Sequence, residues 1–429
     1  MQKKILFVLM IFIGSVGVMG QEHLSLSLQE AQEYALENNR TLKNASLDVR
    51  KSYASRWQTI AAMLPQVSAS VDYSSQFNYK MNFGGNAITM LDSYTYGANA
   101  SIAFSGVQLV GVQLKSIAIK MADITQKQTE KETKDQVKSL YYSALVMKQT
   151  TALLEKNLAN MQKLLVFTEQ AVKVGVSEQT DADQLSVRIA DLQTNISSSK
   201  RSVEMLFNSM RLQLGLEVNT EIELSQTIDD LFNDEKALSL IENDFNIEEN
   251  FDYQLISQNL LLSKKQVVAK KWAYAPTISA FYQYSKKEYF KDEATFNMTP
   301  PNAAGVSVSI PIFSSCSRKS AVKEAKLEYE KQRNNYEDTQ EALVIQHRQL
   351  RYNLRSSLES FETQKKNMVV VQRLFDNKSR KYEHGMASSM DVTNSGTELI
   401  AAQSSYVQAL LAVVKAQIEL EQLLNIDNQ

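Results

Sequence analysis

The chain says the same thing twice. Leu64-Pro65-Gln66-Val67-Ser68-Ala69 returns as Ala275-Pro276-Thr277-Ile278-Ser279-Ala280, and Ala103-Phe104-Ser105 returns as Ile312-Phe313-Ser314. Val174-Gly175-Val176 returns as His384-Gly385-Met386. The members of each pair lie roughly 209 to 211 residues apart, which is the length of a structural half and not of a solenoid unit. The fold must therefore hold two similar halves around a pseudo-symmetry axis.

Each half changes its hydrophobic period in the same order. Ser27-Leu28-Gln29-Glu30 reads as a capping box opening a helix that runs to Pro65, because proline forces Leu64 out of helical geometry. The counterpart helix runs from about Asp252 to Pro276. After each proline the period becomes two. Val67, Ala69, Val71, Tyr73, Phe77, Tyr79, Met81 and Phe83 alternate with Gln66, Ser68, Ser70, Asp72, Ser74 and Gln76, which predicts one long strand to Phe83. Gly84-Gly85-Asn86 supplies a turn, and Tyr94 to Phe104 forms a second strand. Ile278 to Tyr284 and Ala304 to Ile312 repeat the plan, with a loop at Asn297–Asn302 between them. One apolar and one polar face per strand, with aromatics toward the ends, is the pattern of a membrane barrel.

Very long helices follow each strand pair. No proline occurs between Pro65 and Pro276. The stretch from about Val107 to Val174 predicts a helix on the order of 100 Å long, stopped by Gly175. Thr180 to Leu214 forms the next, ended by Gly215. The second half gives Arg318 to about Glu383 and Ser389 to Leu424. Helices of this length pack sideways as coiled coils, and the charges from Lys323 to Asp338 read as a solvated face. Leu216 to Asn250 is acidic and less periodic, a small element beside the helices.

The amino terminus carries Lys3-Lys4, an apolar run from Ile5 to Val18 and small residues before Gln21, the pattern of a cleaved export signal. Cys316 is the only cysteine, so no intramolecular disulfide forms. A net charge of −2 argues against nucleic acid as the main partner. No later run of eighteen apolar residues predicts a spanning helix. Four strands cannot close a barrel, and open sheet edges in lipid leave backbone groups unsatisfied at several kcal/mol each. Closure needs about eight strands or more, and small polar inner residues suit a wet lumen, so three copies giving twelve strands are favoured.

These features together resemble the TolC-like outer-membrane efflux channels, over Leu28 to Leu424. Ala35-Leu36-Glu37-Asn38-Asn39, the prolines Pro65 and Pro276, and the paired tips Val174-Gly175-Val176-Ser177 and Tyr382-Glu383-His384-Gly385-Met386 carry the likeness, with Asp181 and Asp391-Val392 beyond them. The resemblance implies a mixed α+β membrane protein with long antiparallel coiled-coil hairpins and four transmembrane strands per chain. A homotrimer would complete a twelve-stranded barrel and a helical tunnel. It implies a passive exit duct with no catalysis or cofactor, fed by a periplasmic adaptor and an inner-membrane pump or exporter. Multidrug efflux or type I secretion is the expected setting. Gly175, Val176, Ser177, Gly385, Met386 and Ala387 would then be adaptor-contacting tips. Asp391, Asn394, Tyr382 and Asp181 would line or lock the periplasmic entrance. The family's second entrance Asp is Asn394 here, and its locking Arg falls at Ala387, so that link is missing.

Read from the residues alone, the glycines are helix C-caps, and Asp391 (after Ser388) and Asp183 (after Thr180) suit capping boxes. Asp391 is thus a capping acid or a gating acid. His23, His347 and His384 are scattered, and no phosphate loop, metal set or triad is present, which argues against an enzyme. An exported trimeric coiled coil with a structural or adhesive role is the alternative. The expected plan is a signal at 1–20, a first repeat at 21–215, an equatorial segment at 216–250, a second repeat at 251–424 and a loose polar tail at 425–429.

Overall fold

A computed structural model describes residues 23–77, 79–231, 234–290 and 300–426. Residues 1–22 with the expected export signal, Asn78, residues 232–233, residues 291–299 with the first half of the Asn297–Asn302 loop, and the last three residues lie outside them. The described elements run β1 (His23–Leu26), α1 (Leu28–Asn38), α2 (Arg40–Ala61), β2 (Gln66–Ser74), β3 (Lys80–Phe83), β4 (Asn86–Thr89), β5 (Ser93–Phe104) and α3 (Gly106–Lys173). They continue with α4 (Gln179–Leu214), β6 (Glu221–Leu224), α5 (Ile228–Leu231), α6 (Asp234–Glu242) and a 3-10 turn at Ile247–Glu249. They end with α7 (Phe251–Trp272), β7 (Thr277–Tyr289), β8 (Asn302–Ser309), α8 (Ser317–Glu383) and α9 (Ser389–Leu424).

The duplication is close. Helices α2 and α7 each have 22 residues, α4 and α9 each have 36, and α3 and α8 have 68 and 67. The chain divides into two compact units. One draws on the described residues of Met1–Asn39, Thr133–Leu238 and Arg355–Ile418, the other on Arg40–Glu132, Ser239–Leu354 and Glu419–Gln429.

The second unit holds a four-stranded antiparallel sheet in the order β2-β5-β7-β8. Its outer strands, β2 and β8, each pair on one side only within this chain. β2 stops at Ser74, well short of the expected Phe83. The chain turns there because Tyr73 and Ser75 donate to the Asp92 carboxylate, Phe77 donates its N–H to Ser75 Oγ, and Phe77 takes a left-handed φ of 49°. The rest of the alternating run becomes a separate hairpin, β3–β4, turned by Gly84 and Gly85. β8 likewise ends at Ser309 and not at Ile312. Pro311 has no N–H for a ladder, and Ser315 and Cys316 turn the chain into α8 with positive φ. Arg318 fixes this elbow by donating to Pro311 O and Ser314 Oγ and lying over the Tyr274 ring.

In the first unit, the Ser27–Glu30 capping box forms as expected. The predicted single helix to Pro65 is broken at Asn39. Its buried side chain donates to Gln213 O at 2.8 Å and Gln213 Oε1 at 3.1 Å, and its backbone leaves helical geometry. The inter-repeat segment contains a strand that sequence patterning did not reveal, for β6 pairs in parallel with β1. The Tyr141 hydroxyl donates to Leu26 O beneath that pair, within a core of Ala31, Ala35, Val137, Met210 and Leu214. Of the expected tail, Asn425 and Ile426 are described, and both are tied down. Lys131 Nζ donates to Ile426 O at 2.8 Å, and Asn425 Nδ2 donates to Glu249 O.

Among the described residues one helix, α9, contains an 18-residue window of mean hydropathy 1.3, long and apolar enough by composition to cross a membrane. The sequence expectation of no such helix rested on unbroken apolar runs, which α9 lacks. Half of that window is buried in the protein, and Leu399, Leu410 and Val413 of α9 are among the buried residues.

His347 on α8 gives a test of the packing in the second unit. Its ring stacks on Phe245 at 5.0 Å, and its buried Nε2 has no hydrogen-bond partner. Burial pushes its pKa down, Arg351 and Arg348 push it further, and Asp244 opposes them. The unfolded chain therefore takes up a proton that the folded chain resists, and stability falls as pH drops below about 6.5. His347→Leu is expected to flatten this fall between about pH 7 and 5 in chemical unfolding curves. Equal pH sensitivity in both proteins would remove His347 from the account.

Candidate functional site: the paired helical tips

The turns joining α3 to α4 and α8 to α9 are built alike. Gly175 and Gly385 take left-handed φ values of 79° and 72°, and no atom stands within 4 Å of where a Cβ would be. Each is followed by a chain reversal that satisfies the last helical carbonyls. Gly175 N–H donates to Val172 O and Val176 N–H to Ala171 O, while Gly385 N–H donates to Tyr382 O and Met386 N–H to Lys381 O. Both tips present apolar side chains to solvent, with Val176 79% and Met386 69% exposed. Ser177 and Ala387 are half-buried beside them.

Asp391 forms the capping box read from the sequence. Its carboxylate accepts from Ser388 N–H at 3.1 Å and Ser388 Oγ at 2.7 Å, and its own N–H donates to Ser388 Oγ. The Ser388 hydroxyl, then its N–H, hold the carboxyl below the ordinary Asp value, and Lys378 adds a small attraction. Asp391 is exposed, so capping leaves it accessible to solvent. The matching box at Thr180–Asp183 is not made. Glu178 is the N-cap of α4 without a side-chain bond, and Asp183 accepts from Gln179 Nε2 instead. Asp181 lies half-buried in the first turn of α4.

Tyr382 is half-buried, and its hydroxyl lies 2.8 Å from Thr168 Oγ1. Thr168 is fully buried and donates back to Leu164 O, so the Tyr382 hydroxyl is the donor between them. The sequence reading missed Thr168. The available signal was a polar residue on the Met161-Leu164-Leu165 seam of α3. The surrounding core joins Met161, Leu164, Leu185, Phe375, Val392 and Leu399. Farther along, Asn157 donates to Gln403 Oε1 at 2.7 Å and Thr151 bonds Ser199, polar pairs that fix helix register in an apolar seam. Asn394 is not joined to Tyr382. It lines a groove of about 570 Å³ between α4 and α9 with Asp183, Val187, Arg188, Met390 and Thr393. Among the described residues no group of three or more His, Cys, Asp or Glu side chains is arranged to hold a metal.

A doubled chain whose open-edged sheet leads directly into paired helices of this length defines the class of outer-membrane channel subunits. The outer membrane efflux protein model matches residues 32–216 and 247–425, and the chain belongs to that family. No curated protein sequence matches it. Among solved structures it is similar to CusC, at 19% identity and a TM-score of 0.75, covering 93% of this chain and 92% of that one. It is similar to VceC of Vibrio cholerae at 13% identity and a TM-score of 0.74, covering 92% and 95%. It is also similar to the CmeC channel of Campylobacter jejuni at 14% identity and a TM-score of 0.76, covering 92% and 85%. At these identities the structures speak for the fold, and the family model carries the assignment.

Proposed function

We propose that three copies of this chain form a passive exit duct across the outer membrane of a Gram-negative bacterium. A periplasmic adaptor and an inner-membrane pump or exporter would supply it with small toxic molecules or proteins. The observation that carries this reading is the pair of open edges on β2 and β8. Strand β8 of one copy beside β2 of the next continues the antiparallel order, and three copies close twelve strands. The long helices then carry the conduit into the periplasm. The plan of signal, two repeats and an equatorial segment at 216–250 follows the same reading. Family membership and the doubled architecture support it.

Its first test is the mass of the protein extracted from outer membranes, by light scattering corrected for detergent. A mass of three chains is expected, and a monomer would sink the proposal. The tips around Gly175 and Gly385 are the proposed adaptor contacts, since they expose apolar side chains on a backbone held by its own hydrogen bonds.

At the entrance, three copies of Asp391 would ring the axis. Like charges there resist full ionisation, while the Ser388 bonds favour it, and any charge remaining attracts cations. Tyr382 with Thr168 would hold the α8 end in a closed arrangement, without the Arg whose family position is Ala387 here. Asp391→Ala is expected to lower cation preference and cation block in planar bilayers. Asp391→Asn keeps a cap acceptor and separates lost charge from lost capping. Unchanged reversal potentials and block in both variants would remove Asp391 from the entrance.

A further inference from the structure

The upper end of the sheet carries charge on the face that is otherwise apolar. In the β5–β7 register Tyr94 lies opposite Glu288 and Tyr96 opposite Lys286, so all four share one face. Lys286 Nζ lies 2.7 Å from Glu288 Oε1 and 6.0 Å from the centre of the Tyr96 ring. Glu288 also accepts from the Tyr94 hydroxyl and, at 3.1 Å, from Tyr96. The same face then runs through Tyr284, Tyr282, Ala280 and Ile278 on β7, and Ala98, Ala100, Ile102 and Phe104 on β5, without another charge. That run covers seven residues, which at about 3.3 Å each and a tilt of about 40° is roughly 18 Å, most of the height of a barrel's lipid-facing band. The charged pair therefore lies where hydrocarbon gives way to headgroups.

Two features there suit one chemistry. Glu288 accepts from Tyr94 and Tyr96 as well as Lys286, and so is itself held where it fixes Lys286 in place. Glu288 and Tyr96 can engage two of the three ammonium protons, and the side chain, 51% exposed, keeps another for an outside acceptor. Beside it stand two exposed rings, Tyr73 and Phe290, packed edge-on at 5.8 Å, with Tyr94 edge-on to Phe290 at 5.4 Å. A fixed cation next to exposed aromatic faces matches a phosphorylated sugar.

We propose that Lys286, with Tyr73, Tyr94, Tyr96 and Phe290, forms a lipid-facing site for the phosphorylated sugar headgroup of an outer-leaflet glycolipid. The site rests on the reading that this face of the barrel meets lipid. The pair was not singled out by the sequence, because alternation assigns a face but not a cross-strand partner.

The test is native mass spectrometry of protein extracted from outer membranes in mild detergent, counting phosphorylated glycolipid retained per assembly. Wild type is expected to retain it, and Lys286→Gln to retain about fivefold less, the worth of one lysine at an anionic lipid surface. Lys287→Gln is the control, since Lys287 projects from the opposite face over the Tyr289 ring. Wild-type trimers without the lipid, or equal retention in Lys286→Gln, would overturn the site whatever the folding of the variant. Displacement of the lipid by millimolar inorganic phosphate would also overturn it, by marking a simple anion site. A wild-type protein that is not a membrane trimer would instead defeat the duct reading, so the two failures are distinguishable.

Discussion

Gly97→Val is expected to abolish assembly, with little or no trimer reaching the outer membrane. Gly97 pairs with Ser285 on β7 and with Ser70 on β2, in the middle of the sheet. A Cβ added there would stand 2.3 Å from Tyr284 O and 3.1 Å from Ser285 Cα, both backbone atoms. No rotamer relieves such a contact, so β5 and β7 must part by on the order of 1 Å. Hydrogen bonds weaken steeply at that displacement, and in lipid each unsatisfied backbone group costs several kcal/mol. Gly97→Ala carries the same Cβ and should show the same sign. Gly305 gives the contrast, because its added Cβ would meet the Phe281 ring at 2.7 Å, and a side chain can turn aside. Gly305→Ala should therefore assemble at reduced yield while Gly97→Ala fails. The readout is the amount of trimer in isolated outer membranes, by mobility before and after heating. Wild-type amounts of Gly97→Val trimer would show that β5 and β7 are not held as described.

Much of this architecture was legible in the sequence because its signals are local. Gly175, Gly215 and Gly385 each mark a helix end, since the left-handed backbone they adopt is costly for other residues. The Ser388–Asp391 box lies within one turn and was readable for the same reason. The failures involve partners distant in the chain. Asn39 breaks a helix because Gln213 satisfies its side chain, and β1 exists because β6 lies beside it. Neither event alters the periodicity around it. The premature end of β2 is similar, for Asp92 draws Tyr73 and Ser75 into a turn that alternation could not foresee. At the tips, Asp391 was found through its cap, whereas Thr168 is a lone polar residue whose meaning appears only opposite Tyr382.

Gly215→Ala is expected to destabilise the first unit by several kcal/mol, and more than the same change at Gly175. The two glycines have similar backbone, with φ of 71° and 79°. For either, an L-residue in the left-handed region costs about 1–2 kcal/mol. Their surroundings differ. A Cβ on Gly175 meets nothing within 4 Å, whereas on Gly215 it would stand 2.6 Å from Asn38 O and 3.1 Å from Asn38 C. That carbonyl belongs to the end of α1, which Asn39 ties to Gln213, two residues before Gly215. The added methyl must push α1 off the end of α4. Ala35, Met210, Leu214 and Tyr141, all fully buried, would then lose packing together, and the β1–β6 pair resting on Tyr141 would loosen with them. Hydrogen exchange should locate the effect, with Leu28–Asn38 and His23–Leu26 losing protection in Gly215→Ala and keeping it in Gly175→Ala. The comparison also separates structure from docking. Gly175→Ala pays the backbone cost alone at an exposed turn, so its trimer should assemble near normally. Any larger loss of transport in that variant would come from the tip surface offered to an adaptor. Equal destabilisation by the two changes would show that the Asn38 contact does not bind α1 to α4, and that Gly215 is merely a helix stop.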